Sequence, residues 1–306
     1  MPGFRLVHLS DVHVWKYEFN PLRLMNKRAV GMAALLLGRA RRFRMERLRQ
    51  VVERVESLAP DHVLITGDLT TTALAEEFAL AFEALRPLLR SPERATVVPG
   101  NHDRYTRGSA RGRRFERSFG PFLGGETFPW LRFVADRTAV LALDPSRPHL
   151  SARGRLPAAQ LAAARELWEA NRADVDRLVV ACHYPIAAPP GLEEELAWKR
   201  LENADELTAW LATIGPHLYC CGHVHHAWAF TPPALPDEVC LNAGAPLLLD
   251  RRGDDPPGFL EIVLDGGDVA VTHHGWTGAR WIERPMARRP GFFARRSPET
   301  SIAAPG

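Results

Sequence analysis

Phe4-Arg5-Leu6-Val7-His8-Leu9-Ser10-Asp11-Val12-His13 is a short apolar run that breaks, at its C-terminal end, into Asp11 and His13. The run has the length of one buried strand, and the two side chains after it are good ligands for a divalent cation. The same grammar returns four times. His62–Thr66 leads into Gly67-Asp68, Ala95–Val98 into Gly100-Asn101-His102-Asp103, Arg177–Cys182 into His183, and His217–Cys221 into Gly222-His223-Val224-His225. Five strands therefore deliver polar ends toward one rim. A lone Gly-Asp or Gly-His is an ordinary turn, whereas five such ends in one chain point to a shared site.

Between these runs lie helical patterns at 45–58, 73–89, 157–171 and 204–214, with Thr70, Thr71 and Thr72 available to cap the second and Pro157 opening the third. A second strand series follows at 131–135, 139–143, 238–242, 259–264 and 269–274, and Gly266-Gly267 predicts a hairpin between the last two. The alternation predicts an α/β fold, a two-sheet sandwich with helices on its outer faces. One domain is expected over 1–285, with 286–306, rich in Arg and Pro and without periodicity, ending the fold as an irregular tail.

At 306 residues, with 46% hydrophobic and 25% charged residues, the composition is that of a globular enzyme rather than of a disordered or membrane-spanning chain. The N-terminus runs straight into a strand without the apolar stretch of a signal peptide, so the expected location is cytoplasmic. Cys182, Cys220, Cys221 and Cys240 lack Cys-x-x-Cys spacing and are expected as buried thiols. The net charge of +3 is unevenly spread: residues 23–54 hold ten basic residues against Glu46 and Glu53, and a second basic run, Arg104 to Arg117, follows the third cluster. Such runs attract phosphate or anionic lipid, or are simply solvated surface. Aromatic residues suited to base stacking do not interleave with them, which disfavours nucleic acid.

Residues 20–43, directly after the first cluster, stand apart. Ala29-Val30-Gly31-Met32-Ala33-Ala34-Leu35-Leu36-Leu37-Gly38 is too short to cross a bilayer and is flanked by Lys27, Arg28 and then Arg39, Arg41 and Arg42. Three readings fit this insert: a helix lying at the inner membrane surface, a lid over an apolar substrate, or a core helix packed on the sheet.

The five clusters offer carboxylate oxygen, imidazole nitrogen and amide oxygen with no thiolate, a set suited to hard or borderline cations that activate water. Asp11 and His13, two apart, would share one face of an extended strand, as would His223 and His225. Asp68 is placed to give one carboxylate oxygen to each of two ions. His226 alternates away and is expected at the rim or surface, His8, inside the first strand, is expected in the core or behind the ligands rather than as one, and His273 and His274, in a late strand, are expected to be structural.

The order Asp-x-His, Gly-Asp, Gly-Asn-His-Asp, His, Gly-His-x-His resembles the calcineurin-like metallophosphoesterase superfamily over about residues 4–245. The resemblance implies a four-layer α/β/β/α sandwich and two divalent metal ions, Mn or Fe foremost and Zn, Co or Ni next. By it, Asp11, His13, Asp68 and His225 would hold one ion and Asp68, Asn101, His183 and His223 the other. His102 would be the catalytic histidine that is not a ligand, contacting phosphate and protonating the leaving group. A hydroxide bridging the two ions would attack phosphorus in line, its pKa lowered by the metals. Asn101, His102 and Arg104 are candidate substrate contacts, and Asp103 either orients His102 or pairs with Arg104 or Arg107. Asn242-Ala243-Gly244-Ala245-Pro246 is similar to the loop after the last ligand, although Ala245 stands where the family often has Ser or Thr.

Residues 6–13 and 222–225 most resemble the branch with bacterial cyclic-nucleotide phosphodiesterases and UDP-2,3-diacylglucosamine pyrophosphatases. The insert favours an amphiphilic, lipid-linked phosphodiester or pyrophosphate as substrate. A soluble cyclic nucleotide or general phosphodiester is the alternative, and a non-catalytic metal scaffold the remote one.

Overall fold

The computed structural model describes residues 3–149, 151–249 and 256–294. Its strands, in chain order, are β1 (Phe4–Leu9), β2 (His62–Thr66), β3 (Ala95–Val98), β4 (Trp130–Ala135), β5 (Thr138–Leu143), β6 (Arg177–Cys182), β7 (His217–Cys221), β8 (Ala227–Phe230), β9 (Glu238–Ala243), β10 (Gly258–Asp265), β11 (Asp268–Trp276) and β12 (Trp281–Arg289). They form two six-stranded mixed sheets, ordered β12-β11-β10-β1-β2-β3 and β4-β5-β6-β7-β9-β8. Within the first, β1, β2 and β3 are parallel; within the second, β5, β6, β7 and β9 are parallel.

Period-two alternation sorts each central strand between two cores. Leu6, Leu64 and Val98 face Val140, Val179 and Leu218 across the space between the sheets. Val7, Leu9, Val63 and Ile65 point the other way, onto the helices Leu48–Ser57 and Ala75–Leu85. Leu141, Val180 and Tyr219 likewise meet the helices Ala158–Asn171 and Ala204–Leu211. Burial on both faces is why these strands read as unbroken apolar runs. The layers are helix, sheet, sheet, helix, as the sequence predicts.

Two strands escape that reading, and both are sheet edges. β8 is only four residues long, and β12 (WIERPMARR) has no buried residue, with Pro285 beside a register shift opposite Thr272. An edge strand needs little apolar pattern and tolerates proline. The expected tail is thereby corrected: β12 runs to Arg289, and Phe292 and Phe293 are buried in the core between the sheets. Residues 295–306 of that tail lie outside the described residues.

Two helix starts also differ. The threonines do not cap Ala75–Leu85; instead the buried Glu77 carboxylate accepts from the backbone N–H groups of Thr72 (2.8 Å) and Leu74 (3.2 Å). Pro157 lies just before Ala158–Asn171 rather than in its first turn. The four cysteines are buried and unpaired, and burial pushes the Cys182 thiol up to about 12.

Candidate metal centre

All five polar clusters leave their strands at one edge, where the C-terminal ends of the parallel strands of both sheets meet. Asp11, His13, Asp68, His183 and His223 are buried, and His225 is half-buried. The extended-strand expectation for the ligand pairs is corrected. β1 ends at Leu9 and β7 at Cys221, and Asp11 (φ 53°), His13 (50°), Asp68 (53°), His223 (76°) and His225 (66°) all adopt left-handed backbone. Reversals on either side of Val12 and Val224 bring the paired side chains to one side. Each such residue costs about 1–3 kcal/mol. The loops are held by backbone hydrogen bonds between them, Asp11 N to Gly67 O (3.0 Å), His13 N to Asp68 O (2.8 Å) and Val14 N to Leu69 O (2.8 Å).

The donor atoms gather in two linked groups. In the first, His225 Nε2 is 3.1 Å from His13 Nε2 and 3.3 Å from Asp11 Oδ1, with His13 Nε2 3.6 Å from that oxygen. In the second, His183 Nε2 is 3.4 Å from Asp68 Oδ2 and 3.2 Å from His223 Nδ1. Two ligands on one ion at about 2.0–2.2 Å stand roughly 3.0–3.5 Å apart, so this spacing suits coordination. Asp11 Oδ1 and Asn101 Oδ1 are buried acceptors without a hydrogen-bond partner. Orphaned oxygens of this kind are costly unless a cation stands against each of them.

The surroundings set each imidazole's tautomer. His183 Nδ1–H donates to Thr66 O (2.6 Å) and His223 Nε2–H to Lys199 O (2.9 Å), leaving His183 Nε2 and His223 Nδ1 as the ring atoms that face inward. Asp68 differs from expectation. Its Oδ1 accepts from His102 N (2.7 Å), so Oδ2 alone faces both groups, 3.6 Å from His13 Nε2 and 3.4 Å from His183 Nε2. Bridging would run through one oxygen rather than two. Burial alone would depress His183, but the charge of Asp68 and its hydrogen bond raise it to about 9, so in the metal-free centre Nε2 keeps a proton that a coordinating cation would replace.

His102 lies over this centre. Its Nδ1–H donates to Thr71 O (2.6 Å), its ring stacks on Tyr105 with centroids 5.3 Å apart, and burial holds it well below the usual imidazole range. Asp103 does neither thing expected of it. Its carboxylate accepts from Gly100 N, Leu69 N and Thr70 N, tying the Asp68 loop to the Asn101 loop. Arg104 is also redirected: it pairs with Glu116 (2.7 Å) and Asp144 (2.9 Å), so its guanidinium is taken up away from the centre. His8, hydrogen-bonded to Thr66 Oγ1, and His274, to Glu261, are structural as expected.

The insert is neither a continuous membrane-surface helix nor a core helix. It breaks into Pro21–Leu24, Arg28–Ala34, a wide turn Leu35–Arg39 and Ala40–Arg42, and lies across the rim. Arg28 anchors it on Thr72 O and Ala73 O, and Met32, Leu35 and Phe43 turn inward. Phe43 packs edge-on against His13, 4.7 Å between centroids. Leu36 and Leu37 remain exposed, Leu37 by 89%. A cleft of about 930 Å³ opens between the insert and the centre, lined by Leu37, Arg42, Phe43, Lys199 and His225. Among the described residues, no helix is long and apolar enough to cross a membrane.

Arg39, which follows Gly38 inside the basic run, stands 3.4 Å from both His13 Nδ1 and His102 Nε2, a place that its surroundings in the sequence do not mark apart from the glycine before it.

Comparison with known proteins agrees with this architecture. A purple acid phosphatase from yellow lupin (Lupinus luteus) seeds superposes with a TM-score of 0.65 at 14% identity, covering 98% of this chain and 57% of the lupin chain. This chain thus spans little more than half of that relative's length. A dimetal phosphatase from Danio rerio superposes with a TM-score of 0.60 at 14% identity, covering 94% of this chain and 100% of the other. At such identity both likenesses speak to the fold alone. No curated protein matches the sequence. The family model for calcineurin-like phosphoesterases matches residues 4–227. With all five clusters inside that span, the chain belongs to the calcineurin-like phosphoesterase family.

Proposed function

We propose that this chain is a metal-dependent phosphoester hydrolase that cleaves a phosphodiester or pyrophosphate bond, and that its preferred substrate is amphiphilic, of the nucleotide-lipid type represented by UDP-2,3-diacylglucosamine. Asp11, His13, Asp68 and His225 would hold one divalent ion, and Asp68, Asn101, His183 and His223 the other. Bound there, two such ions would supply Lewis-acid charge and lower the pKa of water. Asp68 Oδ2 places the two ligand groups side by side, and the carbonyls of Thr66 and Lys199 keep His183 Nε2 and His223 Nδ1 turned inward. His102, with Nδ1 committed to Thr71 O, presents Nε2 toward the phosphoryl group; burial keeps the ring neutral in the free centre, so it would take up the proton it passes to the leaving oxygen only once an anionic phosphoryl group stands against Nε2.

The observation that carries the substrate class is the insert, which sets exposed Leu37 on the wall of a cleft that also holds Arg42 and Lys199, with Leu36 exposed next to it in the chain. An anionic headgroup with an acyl tail uses both halves of that surface. The insert is then the element through which the protein touches the inner membrane surface. The test compares the wild type with a Leu36→Glu, Leu37→Glu double variant in liposome sedimentation, and in turnover of a UDP-lipid against cyclic AMP and a chromogenic phosphodiester with Mn. Loss of liposome binding and of lipid turnover, with the small substrates unaffected, is expected. Equal partitioning and equal lipid turnover would leave the soluble cyclic-nucleotide or general phosphodiester reading in its place.

A further inference from the structure

We propose that Arg39, delivered by the insert, is a phosphoryl-binding residue of this centre and the reason the insert crosses the rim; the proposal rests on the site's being a phosphoester-hydrolysing one. The guanidinium stands between two imidazoles, its Nη2 3.4 Å from both His13 Nδ1 and His102 Nε2. Neither is a satisfying partner. His13 directs Nε2 at Asp11, Asp68 and His225, so a neutral ring coordinating through that atom carries its proton on Nδ1 and confronts Arg39 donor to donor. At 3.4 Å the contact with His102 is long for a hydrogen bond. Arg39 Nε is buried without an acceptor, and among the described residues no carboxylate forms an ion pair with Arg39. A guanidinium with five donors in a fixed fork and so little to donate to is matched by a pair of oxygens on a phosphoryl group.

The backbone aims it there. Gly38 adopts φ 126° within the wide turn, a conformation that side chains rarely allow, and nothing lies within 4 Å of where its Cβ would stand. The glycine therefore serves the chain's direction rather than a close contact: it breaks the helical course so that residue 39 turns in over His102 while Leu37 turns out. Two divalent ions against the carboxylates of Asp11 and Asp68 would leave excess positive charge, and Arg39 adds to it on the side open to the cleft. An anionic phosphoryl group bound there would hold donors from Arg39 above it and would extend its substituent past Leu37 and Arg42.

The test uses the metal-loaded full chain and its Arg39→Gln and Arg39→Lys variants, with Arg41→Gln, an exposed position in the same segment, as the control for net charge. Calorimetry reads the Kd for inorganic phosphate, a chromogenic phosphodiester assay reads KM and kcat separately, and elemental analysis reads the metal content. Arg39→Gln should weaken phosphate binding and raise KM by roughly 10- to 100-fold, with two ions retained, Arg39→Lys intermediate and Arg41→Gln unchanged. A phosphate Kd within about twofold of wild type, or loss of metal from Arg39→Gln, overturns the proposal; the latter would assign Arg39 to supporting His13. Should the wild type hydrolyse no phosphoester, the reading of the site's function fails, and the phosphate titration still decides the role of Arg39.

Discussion

The ligand loops at the rim and the insert that lies across them sit within one hydrogen bond's reach of each other yet are built on opposite principles. The loops are buried, left-handed at five non-glycine positions, and stitched to one another by backbone hydrogen bonds. The insert is a chain of short helices with Leu22, Met25, Val30, Leu36 and Leu37 exposed and a few inward anchors. In the loops, strain is held by a surrounding structure that leaves no room to relax: a Cβ on Gly222 would collide with Ser10 Oγ and Asp11 Oδ2, and one on Gly100 with Asp68. In the insert little is strained except Gly38. Such an arrangement suits a rigid centre for chemistry and an adaptable surface for choosing what reaches it.

The largest break in this comparison comes from removing the atom both ligand groups share. Asp68→Ala should lower phosphodiester turnover by at least the roughly 10²- to 10³-fold associated with one transition-state donor, and bring bound metal below two ions per chain in elemental analysis. Retained turnover would dissolve the distinction. On the proposed assignment, in which its side chain would contact the phosphoryl group rather than hold a metal, His102→Ala should lose roughly 10²-fold in kcat while keeping both ions; metal loss would move His102 into the ligand set.

Within the insert, Leu35→Ala should cost about 2–5 kcal/mol of stability in denaturant melts, since Leu35 is only 1% exposed. A negligible change would mean that the insert does not pack as a part of the fold. Next is a pH effect far from the centre. His62, buried on β2 with its ring between Glu93 O and Thr96 Oγ1, is pushed down to about 3 by burial, with Arg132 adding to the shift. Between pH 6.5 and 3 the unfolded chain then binds a proton that the folded one refuses, so stability falls as pH drops through that window, by about 1.4 kcal/mol per unit. His62→Gln should flatten the slope by up to that amount; an unchanged slope would mean that the folded protein does accept the proton. Smallest of all, Leu37→Glu should shift stability by no more than about 0.5 kcal/mol, and a larger loss would show that its side chain is packed after all.

Much of this molecule was legible in one dimension, and the exceptions are instructive. The central strands announced themselves because burial on both faces demands continuous apolar runs, and their ends because Asp, Asn and His after such a run have few structural uses. β8 and β12 stayed hidden because an edge strand answers to one neighbour and much solvent. Arg104 and Asp103 looked like substrate and orienting residues by proximity in sequence, but ion pairing with Glu116 and Asp144, and the backbone donors of Gly100 and Thr70, claimed them.

By itself, then, the sequence determined the layered α/β class, the five ligand-bearing ends and the kind of chemistry they suit, because strand periodicity and donor type are local properties of a chain. Tertiary structure alone decided that the polar ends converge through left-handed turns, that Asp68 turns one carboxylate oxygen toward both groups, and that Arg39 stands against His13 and His102. Each of those depends on which distant backbone group meets which side chain, and no local pattern records that meeting.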